Sequence, residues 1–128
     1  MAAIKEDYVS FETSKLLKEK GFDIPCMGRY SVRSKEFHLD CTRLCNNGGL
    51  FECSAPTLQM AIKWLREVHN ILLFILPAQE NGKLVYLVEV WTWNEKEGIY
   101  ESTYAPMPRK EPGKAVEAAI KYCLGNLI

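Results

Sequence analysis

The sequence predicts an α+β fold, in which a mainly antiparallel sheet of four to six strands carries the central and C-terminal helices on one face. Two adjacent segments lead to this prediction: residues 54–70 have the apolar period of a helix, and residues 71–93 have the composition and turn of a β-hairpin. The whole chain, residues 1–128, is expected to form one domain, because a chain of this length can bury a core of its own.

The segments before the central helix are short. Ser10 can cap a first helix, which Gly21 ends. Residues 29–33 and 37–40 alternate polar and apolar side chains, as an antiparallel pair with one wet face does. Residues 46–49 then predict a loop, and residues 50–53 a short strand that leads into the central helix.

The central helix has a clear start and a clear apolar side. Ser54 can act as its cap, and Pro56 is tolerated in its first turn. Apolar residues recur at spacings of three and four: Leu58, Ala61, Ile62, Leu65 and Val68. We therefore expect Leu65, in the middle of this stripe, to be buried and Lys63, on the opposite side, to face water.

The hairpin is predicted from its turn. Residues 71–76 are apolar at every position, which is typical of a strand covered on both faces. Asn81-Gly82 suits a two-residue turn, because both central residues need positive φ. A turn of this length also sets the register, in which Ile71 faces Thr92 and Leu76 faces Leu87.

The two faces of the hairpin differ in composition. One, here called the aliphatic face, carries Ile71, Leu73, Ile75, Val88, Val90 and Thr92. The other, here called the aromatic face, carries Leu72, Phe74, Leu76, Leu87, Glu89, Trp91 and Trp93. If the two long helices cover the aliphatic face, the aromatic face is left open and predicts a homodimer interface, in which Glu89 must reach the rim or find a donor. Alternatively, the aromatic face is core beneath the C-terminal helix.

The last part of the chain predicts one more strand and one more helix. Residues 99–104 are the strand, and a proline-rich stretch separates it from residues 114–124. Those residues place apolar side chains at helical spacing, with Gly125 as the predicted stop: Ala115, Val116, Ala119, Ile120, Cys123 and Leu124.

Several of these segments resemble a known family. The run Ala55-Pro56-Thr57, the run Lys63-Trp64-Leu65-Arg66-Glu67-Val68-His69-Asn70-Ile71, the opening phrase at 9–22 and the alanine-rich last helix are similar to small proteins of gut Bacteroidetes and their prophages. The family has no assigned activity, so the resemblance implies a source and a size class but no chemistry. The chain departs from the family in its cysteine-containing segment 41–53 and in the proline-rich approach to the last helix.

No catalytic, cofactor or metal signature stands out. His38, Cys41, Cys45 and Cys53 are soft metal ligands, but their spacings lack the paired knuckles of structural zinc sites. We therefore expect no metal and interpret the thiols as packing residues. The histidines and cysteines lack a context that would activate a nucleophile, and His69, near the end of the central helix, is better explained by the helix dipole.

Charge and cysteine usage restrict the partners. Sixteen basic and sixteen acidic residues cancel, which disfavours binding to nucleic acid or to acidic membranes. The alternative is a nucleic-acid-binding module that uses the basic hairpin 29–43, with its candidate residues Arg29, Tyr30, Arg33, Lys35 and Arg43. The N-terminus has no apolar leader and the five cysteines are an odd number, so we expect a cytoplasmic protein with reduced thiols. The sequence as a whole predicts a noncatalytic interaction or accessory protein that self-associates.

Overall fold

The computed structural model describes residues 6–40, 51–104 and 108–128, and it confirms the α+β class. The chain divides into two compact units, Met1–Ala61 and Ile62–Ile128, and the boundary falls inside one helix. The described strands form two antiparallel sheets of three strands each, where the sequence predicts one sheet of four to six. Strand pairing between distant segments leaves no trace in local sequence periodicity, so the division between sheets could not be predicted.

The first unit contains a helix, α1 (Phe11–Glu19), and three short strands, β1 (Gly28–Ser31), β2 (Phe37–Leu39) and β3 (Glu52–Ser54). Their order in the sheet is β2-β1-β3, and α1 packs against β3. The predicted ends of α1 are both observed. The Ser10 hydroxyl accepts the Thr13 amide at 3.3 Å, and Gly21, with φ of 94°, lets the Phe22 amide return to the Leu17 carbonyl at 2.9 Å.

Helix α2 (Leu58–His69) crosses the boundary between the units. Leu65 is fully buried and Lys63 is exposed, as predicted, but Val68 is 58% exposed and Trp64 is buried. The expectation for Val68 is therefore wrong: the buried side of α2 includes Ala61, Trp64 and Leu65 but does not continue into the last turn. Asn70, with φ of 54°, ends the helix in the left-handed conformation that asparagine tolerates.

The second unit is a hairpin extended by one strand and covered by a helix. Its strands are β4 (Ile71–Glu80), β5 (Lys83–Asn94) and β6 (Ile99–Tyr104), in the order β4-β5-β6. Asn81 and Gly82 have φ of 53° and 78°, which is the geometry predicted for the turn. The predicted register is also observed, with Ile71 opposite Thr92 and Leu76 opposite Leu87.

Helix α3 (Pro112–Asn126) packs against β5 and β4. All six apolar residues predicted for its inner side are buried, although the helix continues through the predicted stop at Gly125. Opposite it, Val88 and Val90 of the aliphatic face are buried, whereas Ile75 is 41% exposed. The prediction that Ile75 belongs to the core is thus wrong, because the cover does not reach the middle of β4.

Candidate interaction surface

The aromatic face of the second unit's sheet is the side away from α3. Phe74, Leu76 and Trp93 are exposed on it by 47%, 38% and 41% of their surfaces. The other predicted members of this face are half-buried: Leu72, Leu87, Glu89 and Trp91. Helix α3 packs against β5, where Val88 and Val90 of the aliphatic face are buried, whereas Phe74, Leu76 and Trp93 of the aromatic face are exposed. The aromatic face is therefore not core beneath the C-terminal helix.

Strand β6 adds an aromatic residue that the sequence did not identify. Tyr100 pairs with Trp93 across the strands, and the two rings meet edge to face with centroids 5.0 Å apart. The pairing of β5 with β6 shifts register between Val90 and Trp91. Trp93 and Tyr100 pair on the turn side of this shift, so their register is set by the length of the turn between Asn94 and Ile99, which the polar composition of residues 94–98 does not determine.

Glu89 finds its hydrogen-bond donor within its own chain. The indole nitrogen of Trp91 donates to the Glu89 carboxylate, Nε1 to Oε2, at 3.0 Å. Trp91 and Glu89 lie two positions apart on the same face of β5, so the bond forms without any other element. A second molecule placed on this face would therefore not have to supply a donor to Glu89.

The outer edge of β4 is apolar on both faces. Phe74, Ile75 and Leu76 follow one another along the strand, and all three are exposed. Because neighbouring residues in a strand point to opposite faces, exposed apolar side chains lie on both faces of the sheet at this edge. No charged residue occurs in β4 before Glu80.

The basic hairpin 29–43 is largely engaged with its own unit. Arg29 forms an ion pair with Glu52, Nε to Oε1, at 3.4 Å, and the Tyr30 hydroxyl donates to the Val9 carbonyl at 2.7 Å. The Lys35 ammonium lies 5.7 Å from the centre of the Phe11 ring. Arg33 is exposed, and Arg43 lies outside the described residues.

The aromatic rings of this hairpin contact each other. The Tyr30 ring lies 5.3 Å from Phe37 and 5.8 Å from Phe11, measured between centroids, and Tyr8 lies 5.1 Å from Phe37. Edge-to-face and tilted contacts of this kind are typical of packed aromatic clusters. The ring faces that would have to stack on nucleic-acid bases are thus partly used by intramolecular packing.

Of the candidate zinc ligands, the two that the structure describes, His38 and Cys53, are not brought together. His38 pairs with Arg29 on β1, whereas Cys53 pairs with Tyr30, the next residue along. Neighbouring residues of a strand point to opposite faces, so His38 and Cys53 lie on opposite sides of the small sheet and cannot bind the same ion. Cys41 and Cys45 lie outside the described residues.

The described cysteines pack as apolar side chains. Cys26, Cys53 and Cys123 are buried thiols. Burial raises the pKa of Cys53, against the weaker opposing effect of Lys18 and Lys15, and raises the pKa of Cys123 to about 12. A reactive thiol needs the opposite shift, so neither residue is suited to act as a nucleophile.

His69 ends α2 and belongs to a ring contact. Its imidazole meets the Trp64 ring edge to face, with centroids 4.7 Å apart. Its Nε2 atom is buried and has no hydrogen-bond partner among the described residues. This packing against Trp64 is a structural role that the sequence did not predict.

The first unit contains a cavity of about 230 Å³, which lies below the usual range of about 300–1,000 Å³ for pockets that hold small organic ligands. Mostly apolar side chains line it, together with the hydroxyl-bearing Tyr8 and Thr57 and one carboxylate, that of Glu6. Among the described helices, none is long and apolar enough to cross a membrane.

Comparison with known proteins adds no assignment: no protein-family model matches the chain, and neither a curated protein nor a solved structure shows significant similarity to it. Inference about function therefore rests on the geometry of the chain itself.

Proposed function

We propose that this protein is a noncatalytic interaction or accessory protein that self-associates as a homodimer through the aromatic face of its second unit. The observation that carries the proposal is the exposure of Phe74, Leu76 and Trp93 on one face of a sheet whose other face packs against α3. Exposed apolar side chains that are contiguous, and not scattered singly, are typical of interaction surfaces.

The chemistry of the face suits a second copy of the chain. Its side chains are aromatic or aliphatic apart from Glu89, and Glu89 already accepts the indole N–H of Trp91. Pairing two such faces around a twofold axis therefore buries no carboxylate without a donor. Twofold pairing of one patch with its own copy is the commonest form of oligomer, and aromatic residues are the usual anchors of such interfaces.

Self-association is a role that needs no cofactor or metal. In this proposal the protein acts in the cytoplasm with reduced thiols, as an accessory protein of the bacterial or prophage kind that the resemblance implies. The alternative, binding of single-stranded nucleic acid by the hairpin 29–43, is weakened by the ion pair of Arg29 with Glu52.

A matched pair of variants tests the proposal. Phe74→Glu places a charge on the aromatic face, and Leu84→Glu places the same charge on β5, where Leu84 is 60% exposed and lies near the turn. In size-exclusion chromatography with light scattering, we expect a dimer for the wild type and for Leu84→Glu. We expect a folded monomer with an unchanged far-ultraviolet circular dichroism spectrum for Phe74→Glu.

The outcomes separate the two functions. If Leu84→Glu dissociates the protein as completely as Phe74→Glu does, the effect is not specific to the aromatic face and the proposal is wrong. Titration of the wild type with a single-stranded oligonucleotide at low and high salt tests the alternative function. Salt-dependent binding together with a monomeric mass would favour the nucleic-acid module.

A further inference from the structure

Strand β4 is an edge strand with unusual properties. It is ten residues long, and its middle exposes Phe74 and Leu76 on one face and Ile75 on the other. Natural edge strands are usually short, charged or covered, because their free backbone groups can pair with another chain. No charged side chain protects β4 between Ile71 and Gln79.

The direction of the backbone groups of β4 follows from its neighbour. Tyr86 of β5 exchanges two backbone hydrogen bonds with Arg109, at 2.7 and 3.0 Å, on the side away from β4. Pro77 is the residue opposite Tyr86, so the backbone groups of Pro77 also point away from the β4–β5 ladder, towards the open edge. Direction alternates along a strand, and Leu73 and Ile75 therefore present their N–H and C=O groups to the open edge as well.

Pro77 supports this assignment independently. Proline lacks a backbone N–H, and within sheets it is tolerated where that group would face outward from an edge strand. Pro77 occupies a position of β4 whose backbone faces outward, so its missing N–H removes no hydrogen bond from the β4–β5 ladder.

We infer that two copies of the chain pair along this edge, β4 against β4 in antiparallel orientation, around a twofold axis at Phe74. This inference rests on the proposed self-association and moves the contact to the β4 border of the aromatic face, so that the two aromatic faces lie side by side in one sheet and are not stacked on each other. In this register, the N–H of Leu73 donates to the carbonyl of Ile75 in the second copy, and the N–H of Ile75 donates to the carbonyl of Leu73. The N–H of Ile71 donates to the carbonyl of Pro77.

Pro77 restricts the register, and among the registers that keep it at or beyond the end of the ladder, the one centred on Phe74 pairs the longest stretch of β4. Centring the axis on Ile75 or Leu76 would set Pro77 opposite Leu73 or Ile75, where its missing N–H would remove a bond from the interior of the ladder. Centring on Phe74 moves Pro77 opposite Ile71, at the end of the paired stretch. Every outward N–H between Ile71 and Pro77 then has an acceptor.

The side chains also match under this symmetry. Phe74 faces its own copy and Leu72 faces Leu76 on the aromatic face, while Leu73 faces Ile75 on the other. The acidic end of β4, at Glu80, lies beside the start of the other β4, which follows the last turn of α2 with Arg66. The β4-β5-β6 sheet of one copy and that of the second copy thereby become one continuous sheet, in which the aromatic faces of both copies adjoin.

Disulfide trapping tests the register. Phe74 lies in a position whose backbone bonds point to β5, so it faces its copy in a non-hydrogen-bonded pair, with Cβ atoms about 4.5–5.5 Å apart. We expect Phe74→Cys to form a disulfide-linked dimer under mild copper–phenanthroline oxidation. Trp93→Cys, on the same face but on the central strand β5, should remain monomeric on a non-reducing gel. The wild type should also remain monomeric, which would show that the native cysteines do not form the cross-link.

A second measurement does not depend on replacing Phe74. In the wild-type dimer, hydrogen exchange followed by NMR should show the Leu73 and Ile75 amides protected, and the protection should disappear on dilution. Rapid exchange of both amides in a dimer of confirmed mass, or cross-linking of Trp93→Cys and not of Phe74→Cys, would overturn edge pairing while self-association stands. A monomeric wild type would overturn both.

Discussion

Gly28 is a residue at which no side chain can be accommodated. A Cβ atom added there would stand 2.6 Å from the Ala55 carbonyl oxygen and 2.9 Å from Cε2 of Phe37. The backbone of β1 approaches that of Ala55 because the Ala55 amide donates to the Gly28 carbonyl at 2.9 Å. The glycine thus allows the chain before α2 to lie against β1.

We expect Gly28→Ala to lower the free energy of unfolding by about 1–3 kcal/mol, the usual cost of overpacking. Gly125→Ala is the matched control: it lies in the last turn of α3, a Cβ there meets nothing within 4 Å, and alanine is the better helix former. Urea midpoints should therefore move in opposite directions for the two variants. A stable Gly28→Ala would show that the approach of Ala55 to β1 is looser than described.

The thiol of Cys123 links stability to alkaline pH. It is fully buried, and burial raises its pKa from 9.0 to about 12. In the unfolded chain the thiol ionises near its ordinary pKa, whereas the folded protein keeps it neutral. Above pH 9 the unfolded state therefore binds fewer protons than the folded state, and the stability falls as the pH rises from about 9 towards 12.

Cys123→Ala removes this contribution. The variant is less stable than the wild type at neutral pH because it leaves a cavity. The difference between the two free energies of unfolding should narrow above pH 9, by up to about 1.4 kcal/mol per pH unit. Urea titrations at several pH values measure it, and a difference that stays constant to pH 11 would contradict the assignment of a neutral buried thiol.

Among the secondary-structure elements, α2 shows where the helical period of apolar residues no longer predicts burial. We expect Leu65→Ala to lower the free energy of unfolding by about 2–5 kcal/mol, because Leu65 is fully buried. Val68 belongs to the same sequence stripe but is 58% exposed, so Val68→Ala should change stability by less than about 1 kcal/mol. Thermal or urea unfolding measures both changes. Equal losses of stability would show that Val68 is as buried as Leu65, as the sequence predicts.

The hairpin shows how much of the fold the sequence contains. The turn Asn81-Gly82 determines the register of β4 and β5, and the two faces follow from it by alternation. The buried side of α3 was equally predictable from its period. These features are local, since each depends on residues within a few positions of one another.

The remaining features depend on where one element stops covering another. The exposure of Ile75 reflects the limited reach of α3 over β4, and the position of Tyr100 reflects the register that the turn between β5 and β6 sets. The donor for Glu89 is local but was missed, because an indole two residues further on is not a recognised sequence pattern. The aromatic face itself could therefore be predicted, but not its exact extent or the exposed β4 edge.

For the whole molecule, net charge does not oppose association between copies. Basic and acidic residues are equal in number, sixteen of each, and the isoelectric point is about 6.7. Proteins stay apart in solution partly through like charge, and a chain close to neutrality lacks that repulsion. The exposed aromatic face and the uncharged β4 edge are therefore free to determine whether two copies bind.

The molar mass of the wild-type protein in solution tests this claim most directly. The chain weighs 14.7 kDa. Sedimentation equilibrium over a range from nanomolar to high micromolar concentration should show a mass that rises from that of one chain to twice that value and then stays constant, as a closed twofold dimer requires. A mass of 14.7 kDa throughout this range would contradict self-association.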